Sequence, residues 1–427
     1  MDENAGLQFI QRHNMAYRDI HIGKLIDTYL EEMRLGLAGK KSSLLMLPSY
    51  VNTSGIVQSG RPVVAVDAGG TNLRIALIEI SAQGECRFLS EIKKYKMPGV
   101  GEEIDADAFF DRFTDWLLPF MKSASEVAIS FAYPTEILPN LDGRIVRMVK
   151  EVSISGMEGQ LLGKRTGQAL LSKGAAACRI VVTNDSVASA LAGMAEKMNE
   201  GYGSFTGTIL GTGLNGCYIE SNKKILKIKG LPQKGSMMIN TEAGGYARMP
   251  RSDLDYAFDQ TTADPDYHLC EKMASGAYIG PLCAFLIKKA AEEGVFGPHM
   301  LKIEQITSAD ADKFLRSAEG RIAEFCIRPR DVENAFIIVE NTVLRAARLC
   351  ALQMASLAVK AKKTNSNRVC LTVEGSTYYK LSGMREEVLA NLLPCLEDRN
   401  IKADVLEVEN AVLKGCAIAG LLKQPAP

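Results

Sequence analysis

A pair of strand–glycine–strand patterns constrains the fold of this chain more than any other feature of its sequence. The first pattern covers residues 63–78 and turns at Gly69-Gly70, and the second covers residues 207–219 and turns at Gly211-Thr212-Gly213. Continuous apolar runs such as 63–66 are typical of buried strands. Two similar hairpins about 140 residues apart predict a duplicated architecture, with one hairpin in each half of the chain.

Helical and strand patterns alternate around these hairpins. Helices are predicted at 106–121, 159–171 and 411–422, and strands at 127–131, 179–182 and 369–373. Residues 1–47 and most of the chain after residue 270 also have helical spacing. Residues 48–62 are interpreted as an irregular connector, and 223–229, with alternating lysines, as an exposed β-hairpin. The alternation predicts an α/β chain of two lobes with a cleft between them.

The composition narrows the class of protein. A chain of 427 residues is long enough for about two domains. Lys plus Arg and Asp plus Glu number 50 each, so the basic surplus usual in nucleic-acid-binding proteins is absent and no nucleic-acid partner is expected. There is no bilayer-spanning apolar run, no apolar segment typical of a signal peptide and no CxxC motif among the ten cysteines. We therefore expect a cytoplasmic protein with reduced thiols and no membrane association.

The residues around the first glycine turn favour a phosphate site over an ordinary turn. Glycines let phosphate oxygens approach backbone N–H groups without obstruction by a Cβ atom, and Thr71 adds a hydroxyl donor. Asp67 ends a buried strand, where a carboxylate needs a partner such as hydrated Mg²⁺. Arg74 is able to pair with a carboxylate or reach a phosphate. The second turn also has two glycines and a threonine. The two turns together therefore predict a site that binds a nucleoside triphosphate from both sides.

Asp185 has two interpretations that the residues alone leave open. It follows the β-branched residues 181–183 and Asn184, and it precedes a helical segment. It caps that helix, faces the cleft as a general base, or does both. A sugar hydroxyl that attacks phosphorus needs such a carboxylate to accept its proton.

Seven segments together resemble the hexokinases, a family within the actin and heat-shock ATPase superfamily. They are LMLPSYV at 45–51, DAGGTNLR at 67–74, VTND at 182–185, GTGLN at 211–215, INTE at 239–242, EKMASG at 271–276 and VEGS at 373–376. The resemblance covers most of the chain. It implies an ATP-dependent hexose kinase built from two actin-like (ribonuclease H-like) lobes with a deep cleft. The small lobe would comprise 60–185, with a C-terminal helix at 411–427 returning to it, and the large lobe 1–59 and 186–410.

The resemblance also implies roles for individual residues. Asp185 would be the general base, and Lys150 would stabilise charge on the transferring phosphoryl group. The hexose, with glucose as the expected substrate, would contact Asn184, Asn215, Glu242, Glu271 and the segment that contains Ala132. ATP would contact Asp67, Gly69, Gly70, Thr71, Asn72, Arg74, Gly211, Thr212, Gly213 and Ser376. Asp67 would also act on Mg²⁺ through water.

The chain departs from the family pattern near the expected site. Residues 131–134 read FAYP where the family usually has FSFP, which removes a hydroxyl group. Val149 replaces a threonine, Ala243 replaces an aromatic residue, and His268 stands where glutamine is frequent. Residues 411–415 replace a Ser-Gly-x-Gly loop near adenosine. The loss of two neutral hydrogen bonds weakens a sugar site by roughly tenfold to a hundredfold without abolishing it.

Two alternatives to a hexokinase follow from these departures. A hexose sensor or regulatory hexokinase-like protein would keep the sugar site and turn over slowly, but it would not need the full set of predicted catalytic residues. An actin-like filament or chaperone ATPase would share the phosphate turns, but it would not need the sugar-binding residues. The expected partner is the small-molecule hexose, and the expected oligomeric state is a monomer or a homodimer.

Overall fold

The computed structural model describes residues 4–53, 55–148, 152–363 and 366–423. The β-strands in these ranges are β1 (Leu47–Asn52), β2 (Pro62–Ala68), β3 (Asn72–Ile80), β4 (Cys86–Phe88), β5 (Lys93–Lys96), β6 (Glu103–Asp105), β7 (Glu126–Phe131), β8 (Thr135–Ile137), β9 (Gly143–Ile145), β10 (Ser153–Ser155), β11 (Arg179–Thr183), β12 (Ser204–Leu210), β13 (Leu214–Ser221), β14 (Ser236–Asn240), β15 (Arg368–Glu374) and β16 (Lys402–Leu406). The α-helices are α1 (Ala5–Arg12), α2 (Ile22–Leu37), α3 (Ala106–Leu117), α4 (Leu162–Ser172), α5 (Asp185–Lys197), α6 (Asp253–Asp259), α7 (Leu269–Ala274), α8 (Gly276–Glu292), α9 (Ser308–Ser317), α10 (Pro329–Ala361), α11 (Ser376–Lys380), α12 (Met384–Glu397) and α13 (Ala411–Leu421). The α/β class predicted from the sequence is confirmed.

Two six-stranded sheets lie at the centres of the two halves of the fold. In the first sheet the order is β11-β7-β2-β3-β4, and β5 also pairs with β3. In the second sheet the order is β1-β14-β13-β12-β15-β16. Each sheet contains one predicted hairpin, because β2 is antiparallel to β3 and β12 is antiparallel to β13. A parallel strand follows beside each hairpin, β7 next to β2 and β15 next to β12, so the two sheets repeat one arrangement.

Each sheet has its own hydrophobic core. In the first, strands β2 and β7 are buried along almost their whole length, as expected for strands covered on both faces. Helices α3, α4 and α13 pack on this sheet through Phe109, Leu162 and Leu413. In the second, the 33-residue helix α10 supplies much of the core. None of the helices in the described ranges is long and apolar enough to span a membrane.

Helices α5 and α13 pack against each other and join the two halves. Helix α5 contacts β12 and β15 of the second sheet, whereas α13 contacts β2 and β7 of the first. The helices approach so closely that a Cβ atom added at Gly415 would lie 1.7 Å from the carbonyl oxygen of Ala188. Since real Cβ atoms do not come that close, only glycine at residue 415 permits this crossing.

Two local predictions from the sequence are wrong. Residues 48–62 are not wholly irregular, because β1 pairs with β14 at the edge of the second sheet. Pro48 fits there because edge strands tolerate proline. Residues 223–229 do not form a β-hairpin: a short 3-10 turn, Asn222–Lys224, leads into a loop in which Ile225 is buried. The alternating pattern arises from this loop, where the Nζ atom of Lys227 donates to the carbonyl of Leu45 at 2.7 Å.

Candidate active site

A cleft of about 290 Å³ lies between the two sheets, where the glycine turns of both hairpins meet. Most of the predicted site residues line it: Asp67, Gly69, Gly70, Thr71, Asn72, Arg74, Ala132, Asp185, Gly211, Thr212, Gly213, Asn215, Glu242, Glu271 and Ser376. Asn184 is not part of this lining. Lys150 and its neighbour Val149 lie outside the described residues. The fold therefore gathers into one cleft residues that are up to about 300 positions apart in the chain.

The first hairpin carries a partly buried ion pair below its glycine turn. Asp67 and Arg74 face each other across β2 and β3, and Arg74 Nε donates to Asp67 Oδ2 at 2.8 Å. The turn closes through the N–H of Gly69, which donates to the carbonyl of Asn72 at 3.0 Å. Burial raises the pKa of Asp67, and the Arg74 guanidinium opposes that rise. The pairing holds the carboxylate at the cleft with one partner already in place.

The second hairpin turn is fixed by the start of helix α8. The N–H of Gly276 donates to the carbonyl of Gly211 at 2.8 Å, and the N–H of Ala277 donates to the carbonyl of Thr212 at 3.1 Å. The two turns face each other closely, since a Cβ atom added at Gly70 would lie 3.8 Å from Thr212 Cγ2. A phosphate chain between them would meet glycine backbone on one side and a threonine hydroxyl on the other.

Gly375 fixes the start of helix α11 beside the second turn. Its φ is +123°, a region that residues with a Cβ atom rarely adopt, and a Cβ atom added there would lie 2.3 Å from the carbonyl oxygen of Leu210. The next residue, Ser376, lines the cleft. Thr377 Oγ1 donates to the carbonyl of Gly211 at 2.9 Å. The VEGS segment and the start of α11 are therefore tied directly to the second glycine turn.

Asn184 and Asp185 occupy different positions at the start of helix α5. Asn184 is the N-cap of α5, and its Oδ1 atom accepts from the N–H of Ser186 at 2.9 Å. Asp185 is the first residue of the helix and lines the cleft. The N-cap position therefore belongs to the preceding asparagine, and Asp185 Oδ1 accepts from the same N–H of Ser186 at 2.8 Å.

Three asparagines arrange the polar wall of the cleft. Asn215 Nδ2 donates to Asn184 Oδ1 at 3.4 Å, and Asn215 Oδ1 accepts from the N–H of Gly216 at 2.7 Å. Asn240 Nδ2 donates to Glu242 Oε1 at 2.6 Å. Glu242 itself has a left-handed backbone with φ of 55°, which turns the chain at the end of β14. Asn184 and Asn240 thus position the cleft-lining side chains of Asn215 and Glu242.

Glu271 and His268 form the far end of this wall. Glu271 is 5% exposed, and its Oε2 atom accepts from the N–H of Leu214 at 3.1 Å. His268 Nδ1 lies 3.5 Å from Glu271 Oε1, and the imidazole stacks on the ring of Tyr267 with centroids 4.0 Å apart. The buried Lys272 holds the preceding loop, since its Nζ donates to Asp259 Oδ1 at 2.5 Å. The chain therefore presents an oriented carboxylate and an imidazole side by side.

Sequence reasoning did not assign site roles to three other cleft-lining residues: Tyr133, His268 and Glu374. His268 and Tyr133 stand in segments where the chain departs from the family pattern, and those departures were the available signal. Glu374 lies within the VEGS segment at the end of β15. Its carboxylate crosses to the first sheet, where its Oε1 atom lies 3.9 Å from Arg74 Nη2. Arg74 therefore meets carboxylates from both halves of the fold.

Burial gives Glu374 an unusual protonation equilibrium. It raises the pKa of Glu374 from its ordinary value near 4.5 to about 7, while Arg74 lowers that pKa and the negative charges of Asp67 and Glu407 raise it further. The pKa of Glu374 is higher in the folded protein than in the unfolded chain, so protonation of this carboxyl group stabilises the folded state. This contribution to the unfolding free energy is fully present below about pH 4.5. It is lost as the pH rises through about 7.

We expect Glu374→Gln to change the pH dependence of stability in the nucleotide-free protein. Glutamine is neutral at all pH values. As the pH rises from about 5 to about 8, the unfolding free energy of the variant should therefore increase by about 2 kcal/mol relative to that of the wild type. Urea unfolding at the two pH values measures this difference. Glu333→Gln, on the exposed face of α10, is the control. Parallel pH profiles for the wild type and Glu374→Gln would contradict the assignment.

The donor set suits a metal ion that is carried by a nucleotide rather than one caged by protein. Within the described ranges, no group of three or more His, Cys, Asp or Glu side chains is arranged to hold a metal. The cleft carboxylates Asp67 and Glu374 both approach Arg74, and Asp67 is hydrogen-bonded to it. A hydrated divalent cation that keeps its waters and phosphate ligands fits such a site, because it needs only one or two protein carboxylates.

Family models and curated relatives match most of this chain. Two models described as hexokinase match residues 11–195 and 205–422, and the second alone covers about half of the chain. Hexokinase-1 of Schizosaccharomyces pombe is 26% identical over 416 residues, which cover 90% of this chain and 82% of that protein. Hexokinase-3 of Rattus norvegicus is 27% identical over 382 residues, and the chain spans 40% of its length.

Solved structures share the fold. A hexokinase from Schistosoma mansoni complexed with glucose superposes with a TM-score of 0.84 and 22% identity, covering 98% of this chain and 99% of that one. A second hexokinase crystal structure gives a TM-score of 0.78 with 20% identity, covering 98% and 99% of the two chains. These values extend the likeness to the whole arrangement of two sheets and a cleft. The chain therefore belongs to the hexokinase family, as its motifs predict, and is a sugar kinase that uses ATP and a divalent metal ion.

Proposed function

We propose that this hexokinase transfers the terminal phosphoryl group of Mg–ATP to the 6-hydroxyl of a hexose, with glucose as the preferred substrate. One observation carries the proposal: the two phosphate-type turns and Asp185 line the same cleft as Asn215, Glu242 and Glu271. A nucleotide site alone would not need three hydrogen-bonding side chains beyond the turns. A sugar has several hydroxyls at fixed positions, and amides and carboxylates are suited to orient them.

In this proposal Asp185 is the general base. Its carboxylate accepts the proton of the 6-hydroxyl as the oxygen attacks phosphorus, and general bases of this kind contribute a factor of about 10²–10⁴ to the rate. The hydrogen bond from the N–H of Ser186 to Asp185 Oδ1, at 2.8 Å, fixes the orientation of the carboxylate. Asp185 also lines the cleft, where its carboxylate would meet the sugar hydroxyl.

The sugar would lie against the wall that contains Asn215, Glu242 and Glu271. Their positions are held by partners within the protein, which reduces the entropy lost when the sugar binds. The glucose in the Schistosoma mansoni hexokinase complex supports glucose as the substrate. Ala132, which lines the same cleft, offers no hydroxyl, so we expect weaker glucose binding than in relatives that keep the serine.

ATP would lie with its phosphates between Gly70 and Thr212. Backbone N–H groups of the glycine turns and the Thr212 hydroxyl would bind the phosphate oxygens, and Ser376 would lie near adenosine. Mg²⁺, when bound, would neutralise charge on the phosphates, and Asp67 would hold the ion through water. Lys150, by its place in the family motif, would balance charge on the transferring group.

The two sheets would act as two lobes that close on the sugar. We assign the small lobe to 60–185 with the C-terminal segment 411–427, and the large lobe to 1–59 and 186–410. The packing of α13 on the first sheet and of β1 on the second supports this division. Closure would exclude water, which competes with the sugar hydroxyl for the phosphoryl group.

The test is ADP release measured across a panel of hexoses, with ATP and other nucleoside triphosphates as donors. We expect release that depends on hexose and is fastest with glucose and ATP. Tight glucose binding without ADP release would instead support the sensor alternative. ADP release at the same rate without sugar would support an ATPase. Either result would overturn the proposed function.

A further inference from the structure

One hydrogen bond links the segment 131–134 to the first phosphate turn. Tyr133 Oη donates to the carbonyl oxygen of Gly70 at 2.6 Å. Tyr133 is 3% exposed and lines the cleft, as does Gly70. The family pattern FSFP has phenylalanine where this chain has Tyr133, so the hydroxyl that makes this contact is a feature of this chain.

Tyr133 is itself held firmly. Its carbonyl accepts from Thr135 Oγ1 at 2.9 Å, and its ring packs against Phe131 with centroids 5.0 Å apart. The adjacent N–H of Ala132 donates to the carbonyl of Ala68 at 3.0 Å. The phenol is therefore a rigid support rather than a mobile side chain.

The turn has few other restraints at this point. The N–H of Gly69 donates to the carbonyl of Asn72, and the carbonyl of Thr71 accepts from the N–H of Met97 at 2.9 Å. Gly70 and Thr71 lie between these hydrogen bonds and are partly exposed, and neither bond involves the carbonyl of Gly70. Glycine loses more conformational freedom on ordering than any other residue. A hydrogen bond to the Gly70 carbonyl fixes the peptide plane between Gly70 and Thr71, and with it the direction of the Thr71 N–H group. That group is one of the donors available to a phosphate.

We propose that Tyr133 is a positioning residue for nucleotide phosphates, which it orders by holding the Gly70 carbonyl. This inference rests on the proposed function of the cleft as an ATP and hexose site. The Tyr133 hydroxyl would affect binding of the nucleotide, through its phosphates, and not binding of the sugar. Compared with the family pattern FSFP, residues 131–134 lack the serine hydroxyl at Ala132. They have an additional hydroxyl at Tyr133, which supports the first phosphate turn.

The test is Tyr133→Phe, which removes one oxygen atom and restores the residue usual in the family. We expect the KM for ATP to rise about fivefold to tenfold, because one neutral hydrogen bond is lost. The KM for glucose should stay within about twofold. Inhibition by adenosine, which has no phosphates, should be unchanged. Tyr202→Phe is the control, because its hydroxyl bonds Asp404 away from the cleft.

Three results would each overturn either the role of Tyr133 or the proposed function. An unchanged KM for ATP in an active Tyr133→Phe enzyme overturns the proposal and leaves the proposed function intact. Equal rises in the KM values for ATP and glucose, with a lower melting temperature, also overturn it, because they assign Tyr133 to packing alone. A wild-type enzyme that releases no ADP with any hexose overturns the proposed function itself, and direct binding of ATP to both proteins then tests the role of Tyr133 independently.

Discussion

Asp185→Asn is expected to lower kcat for hexose phosphorylation about a thousandfold. The asparagine has the same shape and keeps an oxygen for the N–H of Ser186, which Asp185 Oδ1 accepts at 2.8 Å. It has no basicity to accept the proton of the sugar hydroxyl. The KM values for ATP and hexose should change little, because binding contacts remain. Steady-state kinetics with glucose and ATP measure this loss.

Asp253→Asn is the matched control for that variant. Asp253 is also the first residue of a helix, α6, and its carboxylate is hydrogen-bonded to His13 rather than facing the cleft. It should keep nearly the full kcat. A kcat for Asp185→Asn within tenfold of the wild type would show that another group takes the proton, and the assignment of the base would fail.

Glu271→Gln is expected to raise the KM for hexose about fiftyfold, with a smaller effect on the KM for ATP. A hydrogen bond from a sugar hydroxyl to a charged carboxylate contributes more than one to a neutral amide. Glutamine retains one oxygen for the N–H of Leu214, which Glu271 Oε2 accepts at 3.1 Å. The local fold should therefore survive. Initial rates at saturating ATP over a range of glucose concentrations give the value.

Glu220→Gln separates sugar binding from the general cost of changing a buried carboxylate. Glu220 is 3% exposed, and its Oε2 atom accepts from Tyr218 Oη at 2.9 Å on strand β13. It does not line the cleft. We expect this variant to lose stability without a change in the KM for glucose. If both variants shift that KM equally, Glu271 has no direct contact with the sugar.

The architecture was predictable because its signals are local. Buried strands on both sides of a glycine turn leave continuous apolar runs such as 63–66, and the second hairpin repeats them. Most of the predicted cleft residues lie at such strand ends. The general reason is that ligands in α/β folds bind where strands end and turns begin. Sequence therefore located both walls of the cleft.

Other features depended on tertiary contacts that no local pattern encodes. The pairing of β1 with β14 joins residues that are about 190 positions apart, so 48–62 looked irregular. The raised pKa of Glu374 depends on its burial opposite Arg74 and Asp67. The choice of Asn184 as the N-cap was invisible because both Asn and Asp are good caps. Tyr133 Oη donates a hydrogen bond to a carbonyl 63 residues earlier in the chain. The residue type alone does not indicate that contact.

Identification of the phosphorylated product tests the central claim most directly. Purified enzyme should be incubated with glucose and Mg–ATP, and the products followed by phosphorus NMR. We expect glucose 6-phosphate and ADP in equal amounts, formed at a rate that falls about a thousandfold in Asp185→Asn. Inorganic phosphate with no sugar phosphate, or phosphate on a different hydroxyl of glucose, would contradict it.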